Sequence, residues 1–152
     1  SKGTPNGLDA SPKQRANIAE AVNALTALNP TTDIATSELA TGMWNLVYNT
    51  TPGASGGKLG PFVARVQQEV DIAKGLYVNY VTVGPLTGRL EATWEIENSM
   101  QWKVSPIVPS CFPLNWAKRG LWTLSYLDQD MRILTVRELE REIGNLYVLT
   151  RA

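Results

Sequence analysis

Arg89-Leu90-Glu91-Ala92-Thr93-Trp94-Glu95-Ile96-Glu97 alternates apolar and polar side chains without a break. Successive side chains of an extended strand point to opposite faces. Leu90, Ala92, Trp94 and Ile96 therefore face one way, and Arg89, Glu91, Thr93, Glu95 and Glu97 the other. One buried face and one wet face is the pattern of an antiparallel sheet. After a turn at Asn98-Ser99, Met100, Trp102 and Val104 continue the alternation, so the two runs read as a hairpin. The same period of two begins at Gly42, where Trp44, Leu46 and Tyr48 alternate with Asn45, Val47 and Asn49. Further strands are read at Leu76–Val83, 120–126, 131–137 and Asn145–Arg151, and only 62–71 is ambiguous between strand and helix.

Upstream the period is helical. Ser11 is placed as an N-cap with Pro12 at the first helical position, and Ala16, Ile18, Ala19, Val22, Leu25 and Leu28 recur at helical spacing. Asn29-Pro30 ends the run, because a residue before proline is disfavoured in the helical region. A short apolar stretch, 34–39, leads into the first strand. One helix followed by six to eight short strands predicts a mainly β fold, an antiparallel barrel of about eight strands or a strongly curved sheet. Residues 1–11, rich in Gly, Pro, Asn and Ser, read as a flexible leader, and 12–152 as a single barrel domain.

Composition narrows the function. Lys+Arg and Asp+Glu are 14 each in 152 residues, so no net field attracts nucleic acid or an acidic substrate. Histidine is absent, which excludes Ser-His-Asp and Cys-His nucleophiles and His-ligated zinc, copper or haem. A lone cysteine, Cys111, cannot close an internal disulfide. No apolar run reaches the length of a membrane-spanning helix. The N-terminus lacks an apolar signal core, so any targeting segment is expected to have been removed or not included. Asn49-Thr50-Thr51 fits a glycosylation sequon on paper only.

No motif specifies catalysis, a metal or a cofactor. The stretch 52–60 resembles a phosphate loop superficially, but Pro52 and Leu59 stand where a P-loop needs Gly and Ser/Thr, so it reads as a flexible connection. Glu95 and Glu97 read as a solvated strand face, and Asp128 and Asp130 as turn residues bonding local backbone. The inward set Trp44, Tyr48, Leu90, Trp94, Met100 and Trp102 is either ordinary core or the lining of a ligand cavity, since filled and hollow barrels share one alternation. The apolar, proline-rich segment 105–119 reads as a flap over the barrel end or as a lipid- or partner-contacting tip. In the second case Phe112, Leu114 and Trp116 enter the interface, with Lys118 and Arg119 near headgroups. Arg132 alternates against Met131 and Ile133. It is an outward arginine with its stem on the sheet, or a buried guanidinium paired with Asp128, Asp130 or a ligand's polar head.

Taken in order, 39–50 with its Leu-x-x-Gly-x-Trp-x-Leu-x-Tyr run, Phe62 with Gln67 or Gln68 and Val70-Asp71, Trp122 to Ile133, and the closing 144–151 resemble the plastid lipid-associated proteins, or fibrillins, over roughly 12–151. The resemblance implies a lipocalin-like barrel, nuclear encoding with a lost transit peptide, and peripheral association with plastoglobules or thylakoids in the plastid. It also implies binding or organising quinones, carotenoids, tocopherols or acyl lipids. It further implies that Gly42-x-Trp44 closes one barrel end beneath a basic side chain, for which Arg151 and Arg132 are the candidates. The chain departs from the family where an Arg-Gly is usual, carrying 134–137 and then the charged 138–143 instead, which a solvated hairpin tip or a partner-docking role would explain.

Two readings follow. In the first, a non-enzymatic barrel binds hydrophobic molecules through Trp44, Tyr48, Trp94, Met100, Trp102 and Arg132, with no cofactor. In the second, a filled barrel is a structural subunit docked on a thylakoid membrane complex such as a photosystem or its antenna, through 105–117 and 138–142. An enzyme would have to draw its acid and base from shifted Asp, Glu, Tyr or Lys groups, and no spacing points to such a pair. Whether the interior is hollow discriminates the first two.

Overall fold

The computed structural model describes residues 5–51, 56–107 and 119–152. Among these residues the one α-helix, α1 (Pro12–Ala27), starts as its sequence dictates: the Ser11 hydroxyl accepts from the Gln14 amide, and the Gln14 side chain accepts from the Ser11 amide at 2.8 Å. This reciprocal pair satisfies two of the donors that a helix start leaves open. Ten strands follow: β1 (Gly42–Asn49), β2 (Lys58–Leu59), β3 (Phe62–Val63), β4 (Arg65–Asp71), β5 (Leu76–Val83), β6 (Leu86–Asn98), β7 (Gln101–Ile107), β8 (Gly120–Leu127), β9 (Met131–Glu138) and β10 (Asn145–Arg151). The ambiguous stretch is therefore strand.

β4 to β10 pair in sequence as an antiparallel meander, and β1 lies between β4 and β10 to close the ring at eight strands. Closure leaves no barrel strand with an unpaired edge, and the up-and-down eight-stranded form is the architecture of lipocalins. β2 and β3 make a separate small hairpin. The β6–β7 hairpin turns where the sequence placed it, with Asn98 opposite Gln101.

Among the described residues the barrel ladders shift register at three places: one is at the β6–β7 turn, between Ile96 and Asn98, and the other two correct the simple alternation. Of those two, one lies between Leu46 and Tyr48 and another between Leu124 and Tyr126. A bulge sets two residues against one, so the period of two slips by one residue and the next side chains change face. Tyr48 and Tyr126 consequently leave the interior. With Ile133 and Val148 they form an outer cluster against which Ile18, Val22 and Leu25 of α1 pack. Met100 is also not inward: it sits in the hairpin turn and is exposed. Leu90 is half-exposed at the rim, while Trp44 and Trp102 are fully buried inside.

Residues 5–11 are not wholly loose. Asn6 is buried, its amide donates to the Ala64 carbonyl at 2.8 Å, and the Asn49 amide donates to the Asn6 carbonyl at 3.1 Å. Gly56 and Gly57 lie beside this contact, with Asn49 also donating to the Gly56 carbonyl, so these glycines pack against the wall. Residues 52–55 lie outside the described residues.

Candidate functional site

The two ends of the barrel differ. One is plugged. The stretch 34–40 forms two short 3₁₀ turns whose Ile34, Ala35 and Ala40 are buried. The Trp102 indole N–H donates to the Ala35 carbonyl at 2.8 Å, and that of Trp44 to the Ala40 carbonyl at 2.9 Å. Burying an indole needs such a partner. Arg151 then fastens the plug from outside: its guanidinium donates to the carbonyls of Leu39, Thr41 and Gln129 at 2.7–3.0 Å, and lies 3.9 Å from the Trp44 ring centroid. Gly42 has φ +129°, and a Cβ there would meet Arg151 Nη1 at 2.8 Å, so the Gly-x-Trp spacing makes room for the capping cation. Of the two cations proposed for this place, the outer one is Arg151.

Among the described residues the other end is hollow. A cavity of about 280 Å³ opens there. Its wall is apolar and aromatic, made by Tyr77, Leu90, Ala92, Val104, Pro106, Trp122, Val136 and Tyr147. Trp122 stands edge-on to Tyr77 at 4.7 Å between centroids. Below them Trp102 stacks on Trp94 at 4.3 Å, and these two, with Trp44, belong to the packed half rather than the cavity wall. Polar groups enter at two levels. Arg119 and Glu138 stand in the wall at the ends of β8 and β9, where Glu138 is paired across from Gly120. Deeper, Gln68 and Asn79 are cross-strand partners on β4 and β5, and the Asn79 Oδ1 is buried without a hydrogen bond.

Behind Gln68 lies Arg132. Its side chain is fully buried inside the barrel, so the outward reading is corrected: β9 alternates strictly, and Arg132 falls opposite Leu149 of the inner face. Its partner is not Asp128 or Asp130. The Nη2 donates to Gln68 Oε1, while Nε and Nη1 have no partner. The guanidinium carbon lies 5.3 Å from the Trp44 centroid. Burial without a carboxylate lowers the Arg132 pKa to about 10, still cationic at neutral pH. Asp128 instead serves its turn, accepting from the Tyr126 hydroxyl at 2.6 Å and from the Asp130 and Met131 amides.

The structure thus sets Arg132 behind the cavity-lining Gln68 rather than in the cavity wall itself, with Trp44, Trp94 and Trp102 in the packed half and Tyr48 and Met100 elsewhere. Phe112, Leu114, Trp116 and Lys118 lie outside the described residues; Arg119 is exposed and lines the cavity. The sequence reading missed Gln68, Tyr77, Asn79, Trp122 and Tyr147. The available signal was a polar residue in an inward register, Val66-x-Gln68-x-Val70 and Tyr77-x-Asn79-x-Val81. Among the described residues no cluster of acidic or cysteine side chains is arranged to hold a metal ion.

Three comparisons bear on the chain. The family model PAP_fibrillin matches residues 1–106. Two structures of bovine odorant-binding protein, one from nasal mucosa and one complexed with its natural ligand, are similar at 12% identity. Each alignment covers 75% of this chain and 72% of the other, with TM-scores of 0.48 and 0.47. No curated protein matches.

Proposed function

We propose that this chain, which belongs to the PAP_fibrillin family, is a non-enzymatic binding protein for small apolar molecules of the plastid, such as quinones, carotenoids or acyl lipids, working at plastoglobules or thylakoids. The observation that carries the reading is the hollow barrel end: a cavity of about 280 Å³ with an aromatic wall and few polar groups. Binding sites for small molecules have this character, with volumes from roughly 300 Å³ upward. Each methylene buried there contributes about 0.8 kcal/mol. A cavity at the low end of the range encloses a ring or a medium chain, so a longer molecule would keep its remainder at the mouth.

The test is a titration with the neutral apolar dye 1-N-phenylnaphthylamine, whose fluorescence rises in an apolar site. Ala92 is buried in the cavity wall, and Ala92→Phe is expected to fill the space and abolish the rise while circular dichroism stays unchanged. Tyr48→Phe, on the outer face under α1, is expected to leave dye binding unaltered. No dye binding by the native chain would remove the reading and favour the docked structural subunit. Density-gradient fractionation of plastid membranes separates the same two: flotation with lipid globules supports ligand binding, and stoichiometric migration with a thylakoid complex supports the subunit.

A further inference from the structure

The buried cation on β9 has more hydrogen-bonding capacity than the chain uses. Arg132 carries five N–H donors in a fixed fork, and its one partner is the Gln68 carbonyl oxygen, leaving Nε and Nη1 unpartnered at zero exposure. No Asp or Glu pairs with it among the described residues. The ionisable groups that act on it are Tyr77, which burial keeps protonated, and Arg151, a second cation. A buried charge is normally paired, because desolvation of the unpaired form is costly. Here no anion pairs with it among the described residues, and the neighbouring space is the apolar cavity, since Gln68 belongs both to the cavity wall and to Arg132.

Building on the proposed binding function, we propose that the ligand of this cavity is an amphipathic carboxylate. Its apolar chain lies among Tyr77, Ala92, Val104 and Trp122, and its carboxylate takes the place of the Gln68 carbonyl to receive the Arg132 fork. A planar carboxylate accepts two parallel N–H bonds from a guanidinium, which a hydroxyl or a single carbonyl cannot do. The displaced Gln68 side chain then meets its cross-strand neighbour Asn79, whose Oδ1 lacks a donor. Charge and hydrogen-bond capacity are both satisfied by that one exchange.

The experiment uses the full chain loaded with 1-N-phenylnaphthylamine and compares displacement by decanoate and by 1-decanol, equal chains with different heads. Decanoate is expected to displace the dye at a concentration lower by about tenfold or more. In Arg132→Met the advantage of decanoate over 1-decanol is expected to vanish, and Arg132→Lys is expected to retain part of it. If the native chain releases the dye equally to both, the head assignment is overturned and the apolar cavity stands. That comparison needs no variant, so it decides the matter even if Arg132→Met does not fold. If the native chain takes up no dye and no decanoate, the cavity reading itself falls and the head assignment with it.

Discussion

Trp44 shows how much one residue's surroundings decide. Its indole N–H is bonded to the plug, Arg151 covers its ring from the solvent side, and Arg132 lies 5.3 Å away within the barrel. The two arginines have different work. Arg151 ties three carbonyls on two segments to the ring, so Arg151→Ala is expected to lower stability by about 2–3 kcal/mol, read as a shift of the urea midpoint, with dye binding at the opposite end unchanged. Among the described residues Arg132 has one hydrogen bond and a ring contact with Trp44, against which its two unpaired nitrogens carry a desolvation cost of about 1–3 kcal/mol or more. Arg132→Met is accordingly expected to match or exceed the native urea midpoint while losing carboxylate selectivity, a separation that a merely structural arginine would not give.

At the scale of elements, helix and turns are held by local bonds that can be removed singly. Ser11→Ala deletes the cap of α1 and is expected to cost about 1 kcal/mol in thermal or urea unfolding. The β8–β9 turn depends on Asp128. Partial burial raises its pKa, but the Tyr126 hydroxyl and the two backbone amides outweigh this and hold the carboxyl below its usual value. A carboxyl lowered in the folded state contributes stability that is present above the ordinary carboxylate pKa and lost as pH falls through the folded value. The native chain should therefore lose stability below about pH 4 more steeply than Asp128→Asn, as followed by chemical denaturation across pH 2.5–7. At the other rim the charged run after β9 is exposed, with Arg141 bonded to Glu138 at 3.2 Å and Ile143 85% exposed.

Over the described residues, closure of eight strands and the plug at one end place the cavity at the opposite end. α1 lies on the outer wall and buries none of its residues completely. Its amides are expected to exchange with deuterium well before those of β8, β9 and β10, because local opening follows the number of buried contacts. A ligand bound in the cavity stabilises only the folded barrel, so decanoate at 100 times its dissociation constant is expected to add about 2.7 kcal/mol. The gain should appear as a rise in the melting temperature of the native chain and be absent in Ala92→Phe.

The sequence alone determined the helix with its Ser11 cap, the period-two strands from Gly42 onward, the β6–β7 hairpin and the exclusion of histidine chemistry. These features depend on near neighbours along the chain: capping side chains, proline, and alternation with one wet face. The Gly42-x-Trp44 closure was implied by the family resemblance, and the structure supplied its reason: a Cβ at Gly42 would meet the Arg151 guanidinium over that ring. Tertiary structure decided the rest. Which side Tyr48 faces depended on a bulge, and a bulge is defined by pairing with β10, not by the residues of β1. Whether the interior is filled depended on how far the inward side chains of eight strands reach across the barrel. Trp44, Trp94 and Trp102 fill one half, and Ala92 with Gly120 leaves the other open. The partner of Arg132 lies 64 residues away on β4, brought there only by the closing of the ring, and its unpaired nitrogens follow from that same geometry.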